Sequence, residues 1–295
     1  MSGDRGSVLP YAAMHSIRQG GGVMMPAAAR DPLGHLECAS VAAEHRHYLH
    51  GALCLESADA AGASALSVAA FSDPLRCNEL LARLGPTLGS PDRRTTASLL
   101  SKRLGFLFTG APLYLLSVCD RGLDLAPANC LVDVRHDGQA WRSTLPLRSL
   151  RLQTWSPAAR ERSRHQLLTQ LFAGLITPLW QTLREVGGVP PRMLWENLAV
   201  RVYSLYERRL VELDGTQVDA AARQRCEADY RFLLDADPEL FGIDVNPLAR
   251  FHHAKTRRAD GVEVRYRRSC CLYYRAACPV AYCQSCPLSR ARPRS

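Results

Sequence analysis

Five of the eleven cysteines fall in one short segment, between Cys270 and Cys286. The segment begins with the vicinal pair Cys270-Cys271 and, eleven residues later, ends with the C-x-x-C motif of Cys283 and Cys286. A C-x-x-C turn brings two thiolates onto one metal centre, and the vicinal pair, returned by the intervening loop, can complete a set of four. Four thiolates suit either Zn²⁺ or an iron–sulfur cluster, and this generic chemistry leaves both open.

The vicinal pair Cys270-Cys271 bears on the choice of metal. Structural zinc sites usually combine two motifs of the C-x₂₋₄-C type. Adjacent side chains in an extended chain point to opposite faces, so a vicinal pair is a poor half of such a site. A binuclear [2Fe–2S] core offers two irons and is a more natural target for two diverging thiols.

Positive charge is concentrated around the same segment. The formal net charge is +9, and residues 250–295 carry all of it, because eleven basic residues there face only Asp260 and Glu263. Such a patch attracts an anionic partner. Three classes of partner fit: nucleic acid, an acidic protein or a small anionic ligand. For the last few residues a solvated tail is the simpler interpretation.

The composition excludes several classes of protein. Hydrophobic residues make up 47% of the chain and charged residues 22%, which are ordinary globular values and exclude a fibrous or wholly disordered protein. The apolar stretch 105–119 is too short for a membrane span and contains Gly, Thr and Pro, so no membrane-spanning helix is expected. No secretory signal is visible, and we therefore expect a cytoplasmic protein with reduced thiols.

The hydrophobic periodicity predicts an α+β protein that is mainly α. A helical body, a small antiparallel hairpin or sheet and an irregular C-terminal cysteine segment are expected. The predicted parts are a flexible leader (1–34), a mixed helix and hairpin subdomain (35–150), a helical subdomain (151–250) and a basic segment with the metal-binding cysteines (251–295). From about residue 35 onward these parts are expected to form one integrated domain.

Several elements can be placed along this body. Pro91-Asp92 predicts a helix start, and residues 112–118 are predicted to form a strand. Two apolar runs, 130–135 and 139–145, flank His136-Asp137-Gly138, and an Asp-Gly between such runs predicts a β-hairpin.

Three helices are predicted in the second half of the chain. The first starts at Ser156-Pro157 and ends at Gly187-Gly188, and Pro178 is expected to kink or break it. The others are predicted over residues 191–213 and 218–234.

Several motifs together resemble one known family. The pattern C-C, a spacer of about ten residues and C-x-x-C, preceded by Arg267-Arg268 and followed by Pro287, resembles the FhuF family of ferric siderophore reductases. Asn246-Pro247-Leu248 and Asp260-Gly261 are similar to that family's approach to its cluster. Leu194-Trp195-Glu196-Asn197 resembles its internal Leu-Trp-x-Asn helix start. Only the cysteine motif is highly specific.

The resemblance implies a cytoplasmic reductase that uses a [2Fe–2S] cluster to reduce Fe³⁺ held by a siderophore, of the hydroxamate type, and to release Fe²⁺. It carries over the cluster ligands Cys270, Cys271, Cys283 and Cys286. The spacer here is eleven residues, where ten are expected, and it contains an extra cysteine, Cys278. A one-residue insertion in a loop costs little, and Cys278 is interpreted as a non-ligand.

Other residues are expected around the cluster. A set of cluster-tuning or substrate-contacting candidates comprises Arg267, Arg268, Arg275, Tyr273 and Asn197. The arginines would stabilise the more negative reduced cluster and raise its potential. Tyr273 would shield the cluster or stack on a chelate. Asn197 would cap a helix or join a polar network, with the ligand cleft as the alternative, and Trp195 would lie in the core.

The expected partners follow from the same resemblance. The sequence has no flavin or nicotinamide motif, so a separate ferredoxin or flavoprotein reductase is expected to donate electrons to it. The expected substrate is a ferric siderophore, no nucleic acid is expected, and a transient association with the inner-membrane uptake system is a secondary expectation.

Two other classes of function stay open. One is a nucleic-acid-binding protein with a Cys₄ zinc site, whose arginines and interleaved tyrosines would grip phosphates and stack on bases. Against it, a vicinal pair is atypical for zinc and the large helical body is unexplained. The other is an iron or redox sensor, in which a cluster signals without turnover.

Overall fold

A computed structural model of the chain describes residues 33, 41–62, 65–137, 139–213, 218–258 and 260–290. The predicted leader, apart from Leu33, and residues 291–295 of the basic tail lie outside the described residues. Within these limits the fold is α+β and mainly α, as predicted. The proposed division into subdomains stays a prediction, and one hydrophobic core runs from Leu33 to Phe251.

The helices surround one long central helix, Arg93–Ser117. The described α-helices are α1 (Ala43–Gly51), α2 (Val68–Phe71), α3 (Pro74–Thr87), α4 (Arg93–Ser117), α5 (Arg160–Thr169), α6 (Thr177–Gly187), α7 (Pro191–Ser204), α8 (Ala220–Asp235), α9 (Pro247–Phe251) and α10 (Pro287–Arg290). Two π-helical segments, Gln170–Ile176 and Leu205–Arg209, extend this helical body.

Among the described residues the strands are short and lie in four separate pairs. They are β1 (Leu55–Ser57), β2 (Leu66–Ser67), β3 (Gly122–Leu123), β4 (Leu131–Val132), β5 (Leu145–Leu147), β6 (Leu152–Gln153), β7 (Thr256–Arg257) and β8 (Glu263–Val264). The pairs β2–β4, β3–β6 and β7–β8 are antiparallel, as expected, whereas β1–β5 is parallel.

The predicted hairpin around Asp137 is confirmed. Antiparallel bridges join Asp133 to Thr144 and His136 to Trp141. The Asp137 carboxylate accepts the backbone N–H groups of Gln139 (2.9 Å) and Ala140 (2.7 Å), which closes the turn.

The predicted strand over residues 112–118 is wrong, because nearly all of it forms the last turns of α4. Almost every residue of α4 from Thr95 onward is buried, so the helix lacks the polar face that would reveal its period. A short apolar run cannot be distinguished from a buried strand by periodicity alone. Pro112 lies within the helix, and the chain stays helical around it.

The helix that begins after Ser156 also differs from expectation. Pro178 does not break it, because the chain widens into the π-helical segment immediately before and continues as α6. Gly188 then ends α6 in the left-handed conformation, with φ 64°, as the Gly-Gly pair predicted.

Helices α4 and α7 pack closely and form the frame on which the cysteine segment rests. At their contact a Cβ added to Gly105 would lie 3.1 Å from Leu198 Cα, so glycine permits this close approach. Trp195 of α7 is 6% exposed and packs edge-on against Phe241, which confirms the predicted core position.

Replacement of Gly187 tests the packing of α6 on α4. A methyl group there would lie 2.4 Å from Ala97 Cβ, which has no torsional freedom to move away. We expect Gly187→Ala to lower the free energy of unfolding by about 1–3 kcal/mol, measured by urea denaturation. Gly110→Ala is the matched control, because the nearest neighbour of its new methyl would be the movable end of the Leu53 side chain at 3.4 Å, an ordinary contact distance. Equal midpoints for the two variants would contradict this packing.

Candidate metal centre

Four cysteines gather in a small cluster beside the main core. Cys271, Cys283 and Cys286 are buried, and Cys270 is half-buried and packs against them. The Sγ atoms of Cys271 and Cys283 are 3.6 Å apart. The thiol of Cys286 contacts that of Cys283, and Cys270 contacts Cys286. The four residues implied by the family resemblance are therefore the four that the fold brings together.

Two turns produce this convergence. Directly after the vicinal pair, Leu272 adopts the left-handed conformation, with φ 62°, and its N–H donates to Cys270 Sγ over 3.4 Å. In the second turn the Cys286 N–H donates to the Cys283 carbonyl over 3.0 Å. The Arg267 N–H donates to the Ser285 carbonyl over 2.8 Å and ties the two halves together. The chain thus leaves the extended conformation at the pair, and both thiols reach one cluster.

The thiols differ in acidity. A hydrogen bond from Cys283 lowers the pKa of Cys286 to about 7, whereas the hydrogen bond to Cys283, together with burial, raises the pKa of Cys271 to about 12. Metals bind thiolates, so near neutral pH Cys286 is the more readily available ligand. Burial also raises the pKa of Cys270.

Asn197 joins a buried polar network, which is one of the three roles that the sequence left open for it. Its Nδ2 donates to the Ser98 carbonyl at 3.0 Å and to Ser101 Oγ at 2.8 Å. Its Oδ1 accepts from Arg267 Nη2 at 2.6 Å. Ser98 Oγ in turn donates to the Cys271 carbonyl at 2.9 Å. Asn197 therefore links α4, α7 and the approach to the cluster.

Glu196 is a site residue for which the sequence analysis assigned no role. It is 2% exposed, and its carboxylate accepts the backbone N–H groups of Arg268 (2.6 Å) and Ser269 (2.8 Å) as well as the Ser269 hydroxyl. A buried carboxylate is costly unless such donors satisfy it. The available signal was the single charged residue inside the otherwise uncharged stretch 193–200.

The three candidate arginines have different surroundings. Arg267 is 4% exposed, and its Nε donates to the Ser269 carbonyl at 3.1 Å and lies 3.9 Å from Glu196 Oε2. The Arg268 side chain is exposed. Arg275 forms an ion pair with Asp92 at 2.7 Å, so its charge is committed to the start of α4.

Two tyrosines, Tyr273 and Tyr282, partly cover the thiol cluster. Tyr273 is partly buried and packs against both the main core and the thiol cluster. Tyr282 also packs on the cluster and stacks on Tyr274, with ring centroids 5.7 Å apart. Cys278 is exposed and lies outside the cluster.

The donor set fits a four-thiolate group in its chemistry. Four free thiols pack in one small cluster, and Nη1 of Arg267, a residue close enough to affect the pKa of Cys271, is buried without a hydrogen-bond partner among the described residues. Such a donor suits an anionic sulfur-rich group. Among the described residues, no three His, Cys, Asp or Glu side chains are drawn together as tightly as a bound metal ion would hold them.

The fold and this site define a mainly helical protein with four cysteines gathered beside its central helix pair. Over residues 98–259 the sequence matches the family described as Ferric iron reductase FhuF-like transporter. The match spans more than half of the chain, and the chain belongs to this family. Membership supports a ferric iron reductase role. A comparison with curated proteins finds no match.

The matched region does not reach the cysteine motif. It includes Glu196 and Asn197 of α7 but ends before Cys270, so the cysteine motif is an observation separate from the family match.

Within the part of the chain that the structure describes, none of the helices has both the length and the apolar character needed to cross a membrane.

Glu196→Gln tests the anchoring of the cysteine segment. One acceptor oxygen becomes an NH₂ group that faces backbone donors, so we expect the free energy of unfolding to fall by about 1–3 kcal/mol. We also expect fewer metal ions per purified chain. Urea denaturation and metal analysis provide the two readouts. Glu185→Gln, at an exposed position of α6, is the control, and identical results for both variants would remove Glu196 from the anchoring role.

Proposed function

We propose that this chain is a cytoplasmic ferric-siderophore reductase that holds a [2Fe–2S] cluster on Cys270, Cys271, Cys283 and Cys286. The observation that carries the proposal is the convergence of these four free thiols beside the family-matched helical body. The vicinal pair favours a binuclear group over a mononuclear zinc ion, because it supplies two adjacent donors to two metal positions.

The chemistry required is the transfer of a single electron. A hydroxamate siderophore holds Fe³⁺ through hard anionic oxygens and binds Fe²⁺ far more weakly, so one electron suffices to release the iron. A [2Fe–2S] group held by these cysteines would supply that electron, and a potential near that of plant-type ferredoxins, about −400 mV, would make it a competent donor.

The protein's own residues would hold and shield the centre. Glu196 and Asn197 fix the chain that leads into Cys270, and three of the four thiols are buried. Tyr273 and Tyr282 cover part of the cluster and limit the access of water. Cys270 is the least buried of the four, so electrons are expected to enter and leave on its side.

The partners follow from charge and from this chemistry. The basic segment would attract an anionic chelate or an acidic electron donor, which we propose is a separate ferredoxin or flavoprotein reductase. A brief association with the inner-membrane uptake system would deliver the ferric siderophore. Nucleic acid is not among the proposed partners.

Cofactor analysis tests the ligand assignment. We expect anaerobically purified protein to be red-brown and to contain about two irons and two acid-labile sulfides per chain, as [2Fe–2S] chemistry requires. Cys283→Ser should lose the colour, whereas Cys278→Ser, which changes an exposed thiol outside the cluster, should keep it. A colourless wild-type protein with about one zinc per chain would refute the proposal and favour the nucleic-acid-binding alternative.

Turnover separates the reductase from a sensor. We expect chemically reduced protein to be reoxidised by a ferric hydroxamate siderophore, with one Fe²⁺ released per electron, and to repeat the cycle when reduced again. The gallium(III) complex of the same siderophore is the control, because it has a similar shape but accepts no electron. Reoxidation that stops after one cycle, with the cluster intact, would favour the sensor.

A further inference from the structure

A lysine on the central helix contacts the thiol cluster. Lys102 of α4 is 5% exposed, and its Nζ lies 3.8 Å from Cys271 Sγ. The same Nζ lies 5.5 Å from the centroid of the Tyr273 ring. In sequence Lys102 precedes Cys271 by 169 positions, so only the tertiary fold brings the two together.

This contact differs from those of the arginines expected to act here. The Arg267 guanidinium is bound by Asn197 and lies near the Glu196 carboxylate, which offsets its charge. Arg275 pairs with Asp92, and the Arg268 side chain is exposed, where solvent screens its charge. Lys102, in contrast to these arginines, lies directly against a ligand sulfur.

We propose that Lys102 is the positioning residue that sets the reduction potential of the cluster, through its charge on the Cys271 side. The inference rests on the proposed function and deepens it. A cation in a buried site interacts strongly with nearby charge, because little water screens it. The reduced cluster carries one more negative charge than the oxidised cluster, so Lys102 stabilises the reduced state more. An N–H···S hydrogen bond acts in the same direction.

Because Cys271 is buried, the charge of Lys102 acts on the cluster from the side of the protein interior. Cys271 is 1% exposed, whereas Cys270, the other member of the vicinal pair, is half-buried and more open to solvent. Lys102 therefore acts from the interior, where its field is least screened, and leaves the open side of the cluster available to electron donor and substrate.

The test compares Lys102→Met with wild type at a fixed solution potential, set by a redox mediator and read from visible absorption. We expect the ratio of oxidised to reduced cluster to rise about tenfold in Lys102→Met, which equals about 59 mV for a one-electron couple. Lys102→Arg, which keeps the charge, should recover most of the shift. Arg268→Met, which removes an exposed charge close to Cys270 in sequence, should change the ratio less than twofold.

Iron and sulfide analysis keeps this inference separate from the proposed function. A Lys102→Met protein with full iron and sulfide but a ratio within twofold of wild type would overturn the role of Lys102 and leave the reductase proposal standing. Wild-type protein without iron and sulfide would overturn both. If Lys102→Met does not retain the cluster, Lys102→Gln is measured instead. Loss of the cluster in all three variants, Lys102→Arg included, would assign Lys102 a packing role and overturn the electrostatic one.

Discussion

The cysteine segment depends on one buried carboxylate. Glu196 of α7 accepts the two backbone N–H groups that immediately precede Cys270, and its position in the core leaves it no water as an alternative partner. If the segment moved away, a buried charge would lose its donors, which is among the most costly changes in a protein interior. The adjacent Asn197 binds Arg267 and Ser98, so one turn of α7 fixes both the loop and the central helix.

Buried charges of both signs surround the thiols. Lys102, Glu196 and Arg267 are each at most 5% exposed, although such residues are rarely buried without partners. Glu196 and Arg267 lie within ion-pairing distance of each other, whereas Lys102 contacts a cysteine sulfur. This distribution is understandable if the four cysteines together carry negative charge in the working protein. A thiolate-bound metal group would supply that charge.

The family match and the cysteine motif lie in different parts of the chain and support one another. The match over residues 98–259 covers α4 and α7, which provide Ser98, Lys102, Glu196 and Asn197, while the cysteines follow afterwards. The matched body therefore contains the residues that hold the cysteine segment. A ferric reductase role and a thiol cluster on the same frame are consistent with each other, because iron reduction requires an electron carrier.

The sequence by itself determined the spacing of the cysteines, the hairpin at Asp137 and the end of α6 at Gly188, because each depends on local backbone geometry and on residues close in the chain. It also indicated Asn197 and Arg267, through a motif, but not their contact with each other. Only the tertiary structure decided that residues 112–117 are helical, since nearly complete burial removed the polar face from which the period is inferred. The contacts of Lys102 and Glu196 with a segment more than 70 residues away in the chain likewise required the packing of α4 against α7. Local pattern carries no information on which distant backbone group a buried charge will meet.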